Sequence, residues 1–131
     1  MTNPTPPKPL VWIGRSLDDL KEFPEPVQAI MGYALHVAQL GDKHHKSKPL
    51  KGFHGAGVLE VSENHDGDTY RAVYTVRLAG RVYVLHSFQK KAKTGIATPK
   101  PDIELIERRL KQAVGEHEVW MRAQKAEAAD E

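Results

Sequence analysis

The 131-residue chain contains no cysteine, which rules out a disulfide framework and any thiolate metal site, and makes a reducing, cytoplasmic setting the expectation. It also lacks an apolar run of membrane-spanning length. Met1 to Pro9 carry four prolines and no apolar stretch, so neither a membrane span nor a secretory leader is expected. The seven histidines never fall at His-x-x-x-His or His-Glu-x-x-His spacing. Adjacent His44 and His45 should point apart in extended chain, and carboxylates near them are few, so neither a metal nor any other cofactor is expected. Repeats and low-complexity domains are absent as well.

What is present suits one compact domain with a modest core, since 40% of the residues are hydrophobic. The formal net charge of +2 conceals a division along the chain. Residues 43–100 hold 11 Lys/Arg against 4 Asp/Glu, whereas residues 1–42 hold 3 against 5 and residues 101–131 hold 5 against 8. A basic middle between acidic flanks is the footprint of a polyanion-facing surface, although charge clustering alone is equally what a solvated lysine-rich loop gives.

Leu10-Val11-Trp12-Ile13 reads as a short first strand bounded by Pro9 and Gly14. Ser16 is placed to cap a helix over Leu17 to Phe23, with Asp18 and Asp19 in its first turn, and Pro24 ends it. Pro26 opens a second helix. There Val27, Ile30, Met31, Ala34, Leu35 and Ala38 follow the spacing of one buried face, and Gly41 closes it. Asp42 to Gly57 has no periodicity and reads as a loop. Val58–Glu63, Tyr70–Leu78 and Val82–Phe88 then form an antiparallel meander, with turns at 64–68 and at Ala79-Gly80. The last of these strands is apolar at nearly every position, as a central strand covered on both faces would be. Pro101 is placed to open a helix with a stripe of Ile103, Ile106, Leu110 and Val114 that could run on through Trp120. The alanine-rich, charged tail 123–131 is expected to fray or to remain disordered. The fold class is therefore α+β: a small antiparallel sheet with a mixed edge, packed against two N-terminal helices, with a C-terminal helix.

Two stretches are more specific than this element order. Tyr70-Arg71-Ala72-Val73-Tyr74, together with Leu85-His86-Ser87-Phe88-Gln89-Lys90-Lys91-Ala92-Lys93 and Thr98-Pro99 ahead of the last helix, resembles the phage-derived, HigB-like branch of the RelE/ParE toxin superfamily over roughly residues 10–115. The resemblance implies a type II toxin–antitoxin toxin: a metal-independent messenger-RNA endoribonuclease that enters the ribosome, inhibits translation and is neutralised by a helix-turn-helix antitoxin. It also divides the chain into a proline-rich lead (1–9), a RelE-like toxin domain (10–116) and a charged tail (117–131) that is either a helix extension or disordered. The alternatives are a ParE-like, gyrase-directed toxin and a non-catalytic module that binds nucleic acid or a partner.

RNA supplies its own nucleophile, the 2′-hydroxyl, so the protein need only help remove its proton, stabilise the phosphorane charge and protonate the departing 5′-oxygen. Arg71, mid-strand, can present a planar fork to a phosphate, though basic residues there are often only solvated. Lys90, Lys91 and Lys93 leave the apolar strand together, so at least one should project beside Arg71 if the strands pair, and mutual repulsion would lower the pKa of a clustered lysine. Glu60 lies between Leu59 and Val61, so it should point away from them, as a base or as a clamp on Arg71. Tyr74 emerges on the face opposite Arg71 and is assigned to the core. Lys46, Lys48, Lys51, His54 and Arg77 are candidate RNA- or ribosome-binding residues, acting through salt-sensitive backbone contacts. The helix Pro26 to Gly41 and the acidic flank are the candidate antitoxin surface.

Overall fold

The computed structural model describes residues 6–53, 55, 57–90 and 97–130. Its elements are β1 (Leu10–Trp12), α1 (Ser16–Lys21), α2 (Glu25–Gln39), β2 (Ser47–Pro49), β3 (Val58–His65), β4 (Asp68–Thr75), β5 (Val82–Lys90) and α3 (Lys100–Asp130). The strands form one sheet in the order β1-β5-β4-β3-β2. The meander β3-β4-β5 is antiparallel, and β1 adds the mixed edge by pairing parallel to β5. The expected α+β architecture is thus present. Helices cover both faces of the sheet, which is why β5 is buried at every position but Gln89.

On one face α2 packs Val27, Met31, Ala34, Leu35 and Ala38 against Val61, Ala72, Tyr74, Val82 and Val84. On the other, Ile106 and Ala113 of α3 meet Val58, Val73, Tyr83 and Leu85. Burying one such side chain is worth about 1.5–3 kcal/mol, so these two layers hold the sheet between helices. A register shift between Val73 and Tyr74 interrupts the β4·β5 ladder: Val73 pairs with His86, but Tyr74 pairs with Val84. The extra residue, Leu85, switches the face of the strand. Val84 therefore joins the α2 core, while His86 and Phe88, two and four residues on, lie on the α3 side opposite Val73 and Arg71.

Several sequence expectations require correction. Ser16 does not cap α1; Arg15 holds the cap position, and the Ser16 hydroxyl instead donates to the Val84 carbonyl at 3.2 Å, tying the helix to the sheet. The segment 42–57 is not wholly loop, because Ser47–Pro49 pairs with Leu59–Val61 as an edge strand, too short for periodicity to reveal. Helix α3 extends to Asp130, although every residue from Met121 is exposed. Its buried stripe runs Ile106, Ala113, His117 with half-buried Leu110 and Trp120, leaving Val114 exposed. Trp120 anchors that stretch, with the Arg81 guanidinium 4.2 Å above its ring. The β3–β4 turn is tighter than expected. Asp66 and Gly67 both have positive φ, 50° and 85°, as a two-residue type I′ hairpin demands, and the strands extend to His65 and Asp68.

Candidate functional site

Alternation along β3 places Glu60 on the α3 face, and in β4 it places Arg71 on the same face one pair further along, Glu60 opposite Val73 and Ser62 opposite Arg71. Both side chains are withdrawn from solvent, with Glu60 4% and Arg71 5% exposed. Arg71 Nη1 donates to Glu60 Oε2 at 3.5 Å and to Thr98 Oγ1 at 3.1 Å. The edge strand β2 contributes Lys48, which pairs in register with Glu60 and brings Nζ to 3.6 Å from Oε1. Together with Lys51 and Ile103 these residues line a hollow of about 360 Å³ between the sheet and the start of α3.

Lys90 is the fourth cation. The face switch at Leu85 turns the even-numbered residues at the end of β5 to the α3 side, where Lys90 is opposite Thr69, two pairs beyond Arg71 and Phe88. Burial holds its amine below the ordinary lysine value, Arg71 lowers it further, and Glu60 partly opposes both. The arrangement is one carboxylate among four cations, Arg71, Lys48, Lys51 and Lys90, with a hydroxyl in reach. That is a cradle able to hold a phosphate and to give or take a proton beside it.

The structure therefore brings Arg71, Glu60, Lys90, Lys48 and Lys51 together. Lys46 lies elsewhere: its Nζ pairs with Glu63 at 2.7 Å, and the pair lowers the Glu63 pKa below the usual carboxylate range. Arg77 sits beyond the end of β4, where its guanidinium donates to the Gly55 carbonyl at 2.6 Å and lines a separate hollow with Leu78 and Val114. Lys91, Lys93 and His54 lie outside the described residues. Tyr74 is in the α2 core, as its alternation required, with its hydroxyl donating to Ser47 Oγ at 2.7 Å. His44 and His45 do not point apart; a turn stacks their rings with centroids 4.3 Å apart.

Two features of the site region escaped the sequence reading. Thr98 was visible only as part of a Thr-Pro pair, and nothing short of the fold brings it to Arg71, 27 residues away in the chain. The second is a network under α3. His86 Nε2 is 2.7 Å from Asp102 Oδ1, and Arg109 Nη1 donates to the Leu85 carbonyl at 2.9 Å and lies 3.5 Å from His86 Nδ1. Burial lowers the His86 pKa and outweighs the opposing pull of Asp102. This network fixes the first turns of α3, which carry Ile103 and follow Thr98, and so sets the width of the hollow.

Among the described residues no helix is long and apolar enough to cross a membrane. No curated protein matches the chain. The family model described as Phage derived protein Gp49-like (DUF891) matches residues 18–111, a span that takes in every strand but β1 and every site residue named above. By that match the chain belongs to the Gp49-like family of phage-derived proteins.

Proposed function

We propose that this protein is the toxin of a toxin–antitoxin pair and that it cleaves messenger RNA, acting on the ribosome, with Arg71, Glu60 and Lys90 as its working groups. The observation that carries the reading is the convergence of Arg71, Glu60 and Lys48 on one hollow beside α3, with the Lys90 amine near enough to Arg71 and Glu60 to feel both charges. Membership of a phage-derived family and the resemblance to HigB-like toxins support it.

In this reading the RNA backbone lies in the hollow, and the scissile phosphate takes up part of the hydrogen bonding that Glu60 now gives Arg71. Glu60 accepts the proton of the 2′-hydroxyl as that oxygen attacks phosphorus. The new bond is 2′-O–P and the broken one P–O5′, so the products are a 2′,3′-cyclic phosphate and a 5′-hydroxyl end. Arg71 meets the non-bridging oxygens, where negative charge accumulates, and Lys90 gives its proton to the departing 5′-oxygen. Lys48 and Lys51 grip the flanking backbone. Lys91 and Lys93 belong to the same basic exit, and Lys46, His54 and Arg77 are assigned contacts with RNA or the ribosome. The reaction needs no metal because the substrate carries its own nucleophile. An antitoxin of the helix-turn-helix class is the expected partner.

The test is induced expression in bacteria, wild type beside Arg71→Lys and Lys90→Met, with primer extension on a reporter messenger RNA. Growth arrest with new 5′ ends in the wild type alone is expected. Arrest with intact messenger RNA would sink the nuclease reading and favour a gyrase-directed toxin.

A further inference from the structure

Tyr33 stands on the outer face of α2, 59% exposed, although its neighbours Ala34 and Leu35 are buried. One exposed aromatic ring means little by itself. Here it belongs to a group of rings. Tyr33 meets His44 edge-on, with centroids 5.5 Å apart and planes at 83°, and His44 in turn lies against His45 at 4.3 Å and 32°. His44 is buried, 7% exposed, and its Nδ1 accepts the Lys46 backbone N–H at 3.1 Å, so the proton of the neutral ring sits on Nε2. Burial, and then the charges of His45 and Lys46, hold its pKa below the ordinary histidine value, which favours that neutral ring. The inner ring is fixed by its surroundings, and it holds the two exposed side chains, Tyr33 and His45, against it.

These rings stand at the Arg71 end of the sheet. Register puts Ser62 opposite Arg71, and the next residue of β3, Glu63, takes the Lys46 amine at 2.7 Å. Lys46 follows His45 directly, and Lys48, two residues further, already lines the hollow with Arg71. His45 and Lys48 are therefore at most about 11 Å apart along the chain. Only the edge strand β2 separates them. Its Ser47 faces the α2 side, bonded to Tyr74, and its Lys48 faces Glu60 on the α3 side. The nearby carboxylates are both engaged, Glu63 by Lys46 and Asp42 by the Lys43 backbone N–H at 2.9 Å. Lys43 itself is exposed and makes no ion pair among the described residues, which leaves its amine available beside the rings.

We propose that Tyr33 and His45 form a stacking platform for unpaired bases of a single-stranded RNA that leaves the hollow over the edge of β2. Aromatic and imidazole rings take bases with little regard to sequence, because every base has a flat face, and Lys43 meets the backbone between them. The inference rests on the reading of the hollow as an RNA site and gives that RNA a second point of attachment, on the other side of the sheet edge.

A fluorescein-labelled adenine heptanucleotide with 2′-fluoro riboses lacks the attacking hydroxyl, so fluorescence anisotropy reads its binding apart from cleavage. Saturable binding to the wild type is expected. Tyr33→Ala and His45→Ala should each weaken it about fivefold or more, whereas Tyr33→Phe and His45→Phe keep a flat ring and should bind nearly as the wild type does. A backbone of the same length without bases should bind the alanine variants and the wild type alike. Both positions are exposed, and thermal melts check that every variant folds. Unchanged affinity in both alanine variants, equal losses in the alanine and phenylalanine variants, the same losses with the baseless backbone, or no binding to the wild type each overturns the platform. Binding as expected with no cleavage of unmodified RNA would defeat the nuclease reading and leave the platform standing; cleavage with unchanged affinity in the alanine variants would defeat the platform alone.

Discussion

Arg71 and Glu60 form a structural pair whatever their part in the proposed reaction, which governs how they can be tested. Each is nearly buried, so truncating one leaves the other charge in low dielectric, at a cost of about 3–5 kcal/mol. Glu60→Ala is therefore expected to lower the melting temperature sharply and Glu60→Gln much less, a contrast that thermal denaturation reads directly. Arg71→Lys keeps the charge but loses the planar fork. It is expected to cut cleavage by roughly 10²–10³-fold with a near-normal melt; a normal rate would remove Arg71 from the site. Lys90 predicts a pH effect. Its pKa is lowered by burial and by Arg71, so the protonated form needed by the leaving oxygen disappears at a lower pH than for a free lysine. Activity should fall on the alkaline side, and Lys90→Arg should move that limb upward; a limb unmoved in the variant argues against Lys90 as the acid. Alternation alone was enough to pair Glu60 with Arg71 and to send Tyr74 to the other face. It does not by itself single out Lys90 among the three lysines, because strict alternation from Val84 would put residue 90 on the α2 side, and only the extra residue in β5 turns it to the face of Arg71.

At the scale of elements, periodicity recovered α2 and the meander because their apolar positions repeat against one packed layer. It missed β2, whose three residues owe their conformation to β3, and the length of α3, whose last ten residues are exposed. A helix end without burial gains little from the body it extends. Ending the chain after Met121 should therefore leave the melting temperature nearly unchanged, whereas Trp120→Ala, which removes the stack under Arg81, should lower it. Equal effects would mean that the overhang is packed. The β1–α1 turn makes a sharper prediction. Gly14 has φ +58°, and a Cβ there would stand 2.9 Å from the Arg109 guanidinium. Gly14→Ala thus adds a left-handed backbone cost of about 1–2 kcal/mol to displacement of Arg109 from the Leu85 carbonyl. A melt indistinguishable from wild type would refute that account of the glycine.

For the whole molecule, three buried histidines make stability depend on pH. His44, His86 and His117 all have pKa values lowered from the ordinary 6.5, chiefly by burial. The unfolded chain binds their protons first, so stability is full above about pH 6.5 and declines as pH falls toward the folded values. Replacing His117 by Gln should flatten the decline seen in denaturation midpoints between pH 7 and 5; an unchanged slope would assign the acid sensitivity elsewhere. The division of charge along the sequence, basic in the middle and acidic at both ends, becomes a division in space, with Lys48, Lys51 and Arg71 of the basic middle lining the hollow by α3 and acidic α1 packed against β5. With Arg71, Lys48, Lys51 and Lys90 as the contacting cations, the logarithm of RNA affinity should fall with the logarithm of salt at a slope of about −3.

Strand β1 lies against a partner synthesised much later. Leu10 pairs with Val82, so at roughly 5–20 residues per second of translation the first strand waits several seconds for its place in the sheet. Thr98 and Ile103, which complete the hollow, emerge later still. A growing chain consequently has no assembled hollow until residues near 103 have been made.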